Sequence, residues 1–167
     1  MIDEQIYYIC EFRLRGRKHY VAWYSGEKDG LLLNENKRIS SFSSPAKLMS
    51  YAEQHDLAIS SGPASIFDFD LIESWCGNPQ PMEIDCDNFL NVWNMISDIT
   101  SSTGGSPSFS SADKFLNGAY EKLFHGNNLL IAPDEEPYSP VWSSGEVKAL
   151  ASLFSAGLRE LYASISA

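Results

Sequence analysis

The chain has 167 residues, 44% of them apolar and 20% charged, which excludes a disordered or fibrous protein and leaves enough length to bury a core without disulfides. Twelve Lys and Arg against 22 Asp and Glu give a formal net charge of −10 and a pI near 4.6. Such a balance disfavours a domain that wraps bare nucleic acid by neutralising phosphates, and it favours a basic partner.

Ile6 to Leu14 alternates, with Ile6, Tyr8, Cys10, Phe12 and Leu14 on one face and Tyr7, Ile9, Glu11 and Arg13 on the other, which predicts a strand. Gly16 lies in a polar turn before the aromatic and β-branched run His19 to Tyr24, so the two runs predict a hairpin. Leu31 to Leu33 and Ile39 to Phe42 supply a third and a fourth short strand of an antiparallel meander. Ser44-Pro45 is an N-cap followed by proline at the first helical position. The helix that follows, apolar at Leu48, Met49, Tyr51 and Ala52 and ending near His55, is expected to cover the sheet. Leu57 to Ile59 and Ser65 to Phe69 read as short strands around the Gly62-Pro63 break.

From Asp70 the pattern becomes helical. Leu71 to Cys76 predicts a short helix stopped by Gly77, Pro79 and Pro81, and Asn78-Pro79-Gln80-Pro81 marks a boundary between a β-rich α+β lobe, 1–76, and a helical lobe, 77–167, unless the two form one continuous domain. Asp85 or Asp87 caps a helix whose Cys86, Phe89, Leu90, Trp93 and Ile96 recur at three- and four-residue spacing. Residues 97–111 are rich in Ser, Thr and Gly and predict a mobile loop. Ser110-x-x-Asp113 resembles a capping box before an amphipathic helix over Phe115 to Phe124, terminated by Gly126. Leu129 to Ile131 reads as a brief strand, Pro133 to Pro140 as an extended loop, and Ser143-x-x-Glu146 as the capping box of a last helix. The fold class is therefore α+β: an N-terminal antiparallel meander covered by a helix, then a mainly helical C-terminal half.

Charge is unevenly spread. Residues 1–38 hold seven basic and six acidic residues, a net of +1, and the remainder carries −11. Between Lys47 and Lys114 no Lys or Arg occurs, yet ten carboxylates do: Glu53, Asp56, Asp68, Asp70, Glu73, Glu83, Asp85, Asp87, Asp98 and Asp113. Like charges repel in the folded state, and in return they create a field that steers a cationic partner.

Catalytic chemistry finds little support in the sequence. Cys10, Cys76 and Cys86 are odd in number and form no C-x-x-C pair, so reduced, largely inert thiols are expected. No G-x-S-x-G elbow, phosphate-cradling loop or complete calcium loop is present, and Asp68-x-Asp70 and Asp85-x-Asp87 fit helix capping better than a metal site. No enzyme activity and no cofactor is expected. The start, Met-Ile-Asp-Glu, lacks a basic region before an apolar stretch, and no run of about 18 apolar residues occurs, so a cytoplasmic protein is expected. Arg13, Arg15, Arg17 and Lys18, interleaved with Tyr7, Tyr8, Tyr20, Trp23 and Tyr24, offer a second reading as an RNA- or DNA-binding hairpin. Against it, charges beside a hairpin turn commonly protect a sheet edge.

The carboxylates point to protein binding. Asp68, Asp70, Glu73, Glu83, Asp85 and Asp87, with Asp134, Glu135 and Glu136 beside Tyr138 and Trp142, combine complementarity to a cationic surface with aromatic anchor area.

Three strings carry a resemblance: Phe67-Asp68-Phe69-Asp70-Leu71-x-x-x-Trp75; Ile84-Asp85-Cys86-x-x-Phe89-Leu90-Asn91-x-Trp93-Asn94-x-x-x-Asp98; and Tyr138-Ser139-Pro140-x-Trp142-Ser143-x-x-Glu146. In these, and in its layout of a β-meander leading into helices, the chain resembles bacterial immunity proteins of contact-dependent growth inhibition systems. The resemblance implies a cytoplasmic protein that binds the C-terminal toxin domain of a sibling's surface effector. Many such toxins are nucleases, a tRNA-directed RNase being the favoured target, and occlusion of a cationic cleft would be the mechanism. Family motifs of this kind mark the scaffold, so Trp93, Asn94 and Cys86 are expected in or near the core.

Overall fold

A computed structural model describes residues 5–104, 114–128 and 132–165. Strand β1 (Ile6–Leu14) and strand β2 (Arg17–Tyr24) form an antiparallel hairpin in which Cys10 faces Val21 and Leu14 faces Arg17. Only Arg15 and Gly16 remain for the turn, with φ of 48° and 74°. A two-residue turn with both φ positive matches the right-handed twist of the strands, and glycine adopts that geometry without strain. β3 (Gly30–Leu31) adds antiparallel to β2.

Helix α1 (Pro45–Gln54) begins as its sequence dictates: the side chain of Ser44 accepts from the Lys47 amide and proline occupies the first turn. It carries the chain to the far edge of β1. There β4 (Ala58–Ile59) runs parallel beside Ile6 and Tyr7, and β5 (Ser65–Asp68) runs parallel beside Cys10 to Arg13. The sheet is thus mixed and β1 is central to it, in the order β3-β2-β1-β4 with β5 also on β1. Leu48 and Ala52 of α1 are buried, and the helix packs on β2 and β4.

The opposite face meets a helical layer made of α2 (Phe69–Gly77), α3 (Cys86–Thr103), α4 (Lys114–Gly126) and α5 (Ser144–Ser164). Cys10, Phe12, Leu14 and Val21 from the sheet join Phe69, Ile72, Trp75, Phe89, Ile96, Phe154 and Leu161 in one cluster of buried side chains. Phe12 meets Phe69 edge-on at 4.9 Å, Trp75 meets Phe89 at 5.0 Å, and Phe89 meets Phe154 at 5.5 Å. Each fully buried phenylalanine contributes roughly 1.5–3 kcal/mol from area removed from water. Trp93 is buried as well, edge-on to Tyr120 at 5.1 Å. α3 and α5 approach closely because position 157 is glycine: a Cβ there would lie 2.6 Å from Ile96 Cγ2.

The α+β class of the sequence reading holds, and two details differ. Ile39 to Phe42 makes isolated bridges, Leu33 with Ile39 and Tyr20 with Phe42, and not a fourth strand. Its backbone is divided among partners, the Ile39 amide donating to Ser164 O at 2.7 Å and the Ser40 amide to Leu32 O at 3.0 Å. Residues 97–103, expected in a loop, are the last two turns of α3, which ends at Gly104 with φ 73°. Ile99 and Thr100 are buried there, and Thr100 Oγ1 donates to Glu160 Oε2 at 2.8 Å. The rest of that loop, the Ser110-x-x-Asp113 box and the Leu129 to Ile131 strand lie outside the described residues. No helix among those described is long and apolar enough to cross a membrane.

Candidate partner-binding surface

The structure divides the sequence-predicted carboxylates into two groups. The first belongs to α2. Asp68 is its N-cap, Oδ1 accepting from the Leu71 amide at 3.0 Å, and it lies in register beside Arg13. Asp70, in the first turn of the helix, accepts from the backbone amides of Arg15 and Gly16, the latter at 2.9 Å, and so clamps the β1–β2 turn. Glu73 accepts from the Tyr162 hydroxyl, and the Arg15 guanidinium lies 3.8 Å over the Tyr162 ring. Burial first, and then the Glu73 bond, push the Tyr162 phenol up to about 12. These three acids therefore face the basic hairpin, which sequence distance had concealed. Arg13 is itself paired to Glu11 at 2.9 Å, and that bond is the largest cause holding the Glu11 carboxyl below its ordinary value.

The second group borders a groove of about 420 Å³ between the start of α3 and the segment that precedes α5. Asp85 caps α3, Oδ1 accepting from the Asn88 amide at 3.2 Å, and Asp87 stands exposed in the first turn. Across the groove are Tyr138 and Trp142, so the structure joins Asp85 and Asp87 to the aromatic pair of the later loop. Glu83, in the short 3-10 turn Pro81–Glu83, is exposed at the same end. Asp134, Glu135 and Glu136 are exposed just before Pro137, which lines the groove. Among the described residues no Lys or Arg lines it. Met82 at 96% and Val141 at 83% exposure make this the part of the described surface with the most exposed apolar side chains.

Asn128 and Lys122, absent from the sequence reading, hold this surface in shape together with Gly126 and Glu146. Asn128, with φ 58°, clamps Tyr138: its Oδ1 accepts from the Tyr138 amide at 2.6 Å and its Nδ2 donates to the Tyr138 carbonyl at 3.2 Å. Lys122 Nζ donates to Val141 O at 2.6 Å and to Glu146 Oε1 at 2.7 Å, and sits 5.7 Å from the centre of the Trp142 ring. Burial raises the Glu146 carboxyl, but the bonds from Lys122 and Ser143 together outweigh it and hold the group below its ordinary value. Gly126 allows the end of α4 to press on the start of α3, since a Cβ there would lie 2.4 Å from Cys86 Sγ. Asn after a helix-terminating glycine was the one legible sign of this clamp.

The arrangement suits recognition: exposed apolar and aromatic side chains rimmed by carboxylates on a loop fixed by internal hydrogen bonds. Among the described residues no three His, Cys, Asp or Glu side chains gather as metal ligands would. Cys10, Cys76 and Cys86 are unpaired thiols. Burial, the largest cause in each, raises their pKa, so all three are poorly nucleophilic.

No family model matches the chain, and no curated protein sequence matches it. Among solved structures the chain is similar to the C-terminal domain of SatS, a crystal structure in complex with bromine. The identity is 15% and the TM-score 0.59, over 96% of this chain and 92% of that one. At that identity the likeness shows a shared fold, with the sheet and helices in corresponding places, and carries no residue of the groove with it.

Proposed function

We propose that this protein is an inhibitory binder that occludes the cationic cleft of a toxin domain, in the manner of the contact-dependent growth inhibition immunity proteins its motifs resemble. A cytoplasmic site of action and a nuclease target, a tRNA-directed RNase first, belong to the same proposal, as does binding without turnover. One observation carries it: Asp85 and Asp87 share a groove with Tyr138 and Trp142, flanked by exposed Met82 and Val141, and among the described residues no Lys or Arg lines it. Carboxylates at such a rim accelerate encounter with a positive surface, and the apolar anchors slow release.

The test is protection. Cells expressing a cognate toxin domain are expected to survive when the wild-type chain is co-expressed, with an association rate that falls as salt rises. Reversing Asp85 and Asp87 to Lys, with Asp134, Glu135 and Glu136 also reversed, is expected to abolish protection while the protein stays folded. Undiminished protection by that variant sinks the reading.

A second reading, nucleic-acid binding by the hairpin, is favoured by Arg15, Arg17, His19 and Arg38 converging on a hollow of about 540 Å³ beside Tyr162. Filter binding of RNA at low salt, lost in Arg15→Glu with Arg17→Glu, would put it first.

A further inference from the structure

On the far side of α3 from the α4–α5 contacts, a second pocket of about 500 Å³ lies between the sheet and that helix. Its walls are Tyr8 and Trp23, neighbours across β1 and β2 with ring centres 5.7 Å apart and planes at 51°. Its floor is apolar and tightly packed: Cys10 and Met95 are buried, with Phe67 beside them. Asp98 reaches in from α3 and Asp29 from the turn before β3, while Asn91 and Asn94 stand at the rim. Among the described residues no Lys or Arg lines the pocket.

We propose that this pocket binds a guanidinium group on a short alkyl chain, its plane against Trp23 and Tyr8 and its N–H groups shared between Asp98 and Asp29. The inference is independent of the proposed toxin-binding groove. Asp98 Oδ2 accepts from Trp23 Nε1 at 2.9 Å, which orients the carboxylate and leaves Oδ1 without a hydrogen bond among the described residues. Both carboxylates line this one pocket, with no Lys or Arg among its described lining residues; burial and the charge of Asp29 raise the Asp98 pKa, the Trp23 bond notwithstanding. Cys10 records the same field: burial first, and then Asp98, push its thiol up to about 12.

The chemistry selects the occupant. A hard metal ion takes six or more oxygens, and two carboxylates do not supply them. A guanidinium is planar, weakly hydrated and forked, so it stacks on aromatic faces while donating to carboxylates in its plane; an ammonium is compact and strongly hydrated. The volume lies within the range of small-ligand sites, roughly 300–1,000 Å³. Either a free alkylguanidine or the arginine side chain of a partner presents this chemistry.

The experiment follows the indole N–H resonance of Trp23, assigned by its loss in Trp23→Phe, in proton–nitrogen correlation spectra of the full chain. Butylguanidinium is expected to shift that resonance saturably, while butylurea, neutral and of the same shape, does not. Asp98→Asn and Asp29→Asn should each weaken binding by about tenfold, the loss of one charge-assisted hydrogen bond. Indole resonances of Trp75 and Trp93 report that the variants remain folded. A blocked arginine peptide binding more tightly than butylguanidinium identifies a partner's side chain as the source, and the reverse order identifies a free guanidine. Equal response to butylurea, no response up to the solubility limit, or affinity unchanged in Asp98→Asn overturns the proposal.

Discussion

Asp70 acts through two backbone amides at the tip of a hairpin 54 residues away in sequence. Asp70→Ala leaves both amides without their acceptor and is expected to lower unfolding stability by about 1–3 kcal/mol in urea titration. Glu83→Ala, at an exposed position with no such partner, should stay within about 0.5 kcal/mol of wild type. Asp98 gives the opposite sign. Its folded pKa is raised, so its contribution to stability is fully present below the unfolded carboxylate value and is lost as pH rises through the folded one. Asp98→Asn retains an oxygen for Trp23 and removes the repulsion with Asp29. The variant is expected to be more stable than wild type at neutral pH, with the difference vanishing below pH about 4, as thermal unfolding across pH will read. A variant that gains stability while losing guanidinium affinity separates a binding role for Asp98 from a merely structural one.

Among elements, α5 depends most visibly on single positions. Ser143 and Glu146 form a reciprocal capping box, so Ser143→Ala should cost about 1 kcal/mol. Gly157 lies where α5 meets Ile96 of α3. Alanine there gains up to about 1 kcal/mol of helix propensity but forces the helices apart, at a cost of about 1–3 kcal/mol. The clash involves Cγ2, Cδ1 and Cγ1 of a β-branched side chain with 0% exposure, so the loss should win, seen as a lower unfolding midpoint. α3 shows how a helix hides in its own composition. Ser101, Ser102, Thr103 and Gly104 read as slack, yet Ser102 Oγ accepts from the Leu31 amide at 3.1 Å and Thr103 Oγ1 donates to Ile99 O at 2.9 Å. Hydroxyl groups disfavour helix when they compete with its backbone for hydrogen bonds; here the tertiary partner Leu31 takes up the Ser102 hydroxyl, and the Thr103 hydroxyl bonds back to its own helix without breaking it.

At the scale of the molecule, the net charge of −10 is redistributed by folding. The acids of α2 lie against the basic hairpin, and those around Asp85 and Asp87 remain turned to solvent. Reversing Asp68, Asp70 and Glu73 to Lys is therefore expected to destabilise the fold by loss of the cap and the turn clamp. Reversing Asp85 and Asp87 should cost little beyond one cap, about 1 kcal/mol, and act chiefly on association with the partner. Paired urea-unfolding and association-rate measurements on the two variants read the contrast directly. Equal destabilisation by both sets would contradict this division of the charges.

Local rules determined much of this protein from sequence alone. Alternation from Ile6 to Leu14, Ser44-Pro45, Asp85, the three- and four-residue spacing of Phe89, Trp93 and Ile96, and the Ser143–Glu146 box each specify an element, because helix and strand periods and caps are properties of neighbouring residues. What covers each face of the sheet, the parallel docking of β4 and β5 on β1, and the union of Asp85 with Tyr138 were decided by tertiary structure. So was the assignment of each carboxylate to a cap, a turn, a groove or a pocket. Those outcomes rest on contacts between residues tens of positions apart, and a charge shows its sign in the sequence but finds its counter-charge only when the chain has folded.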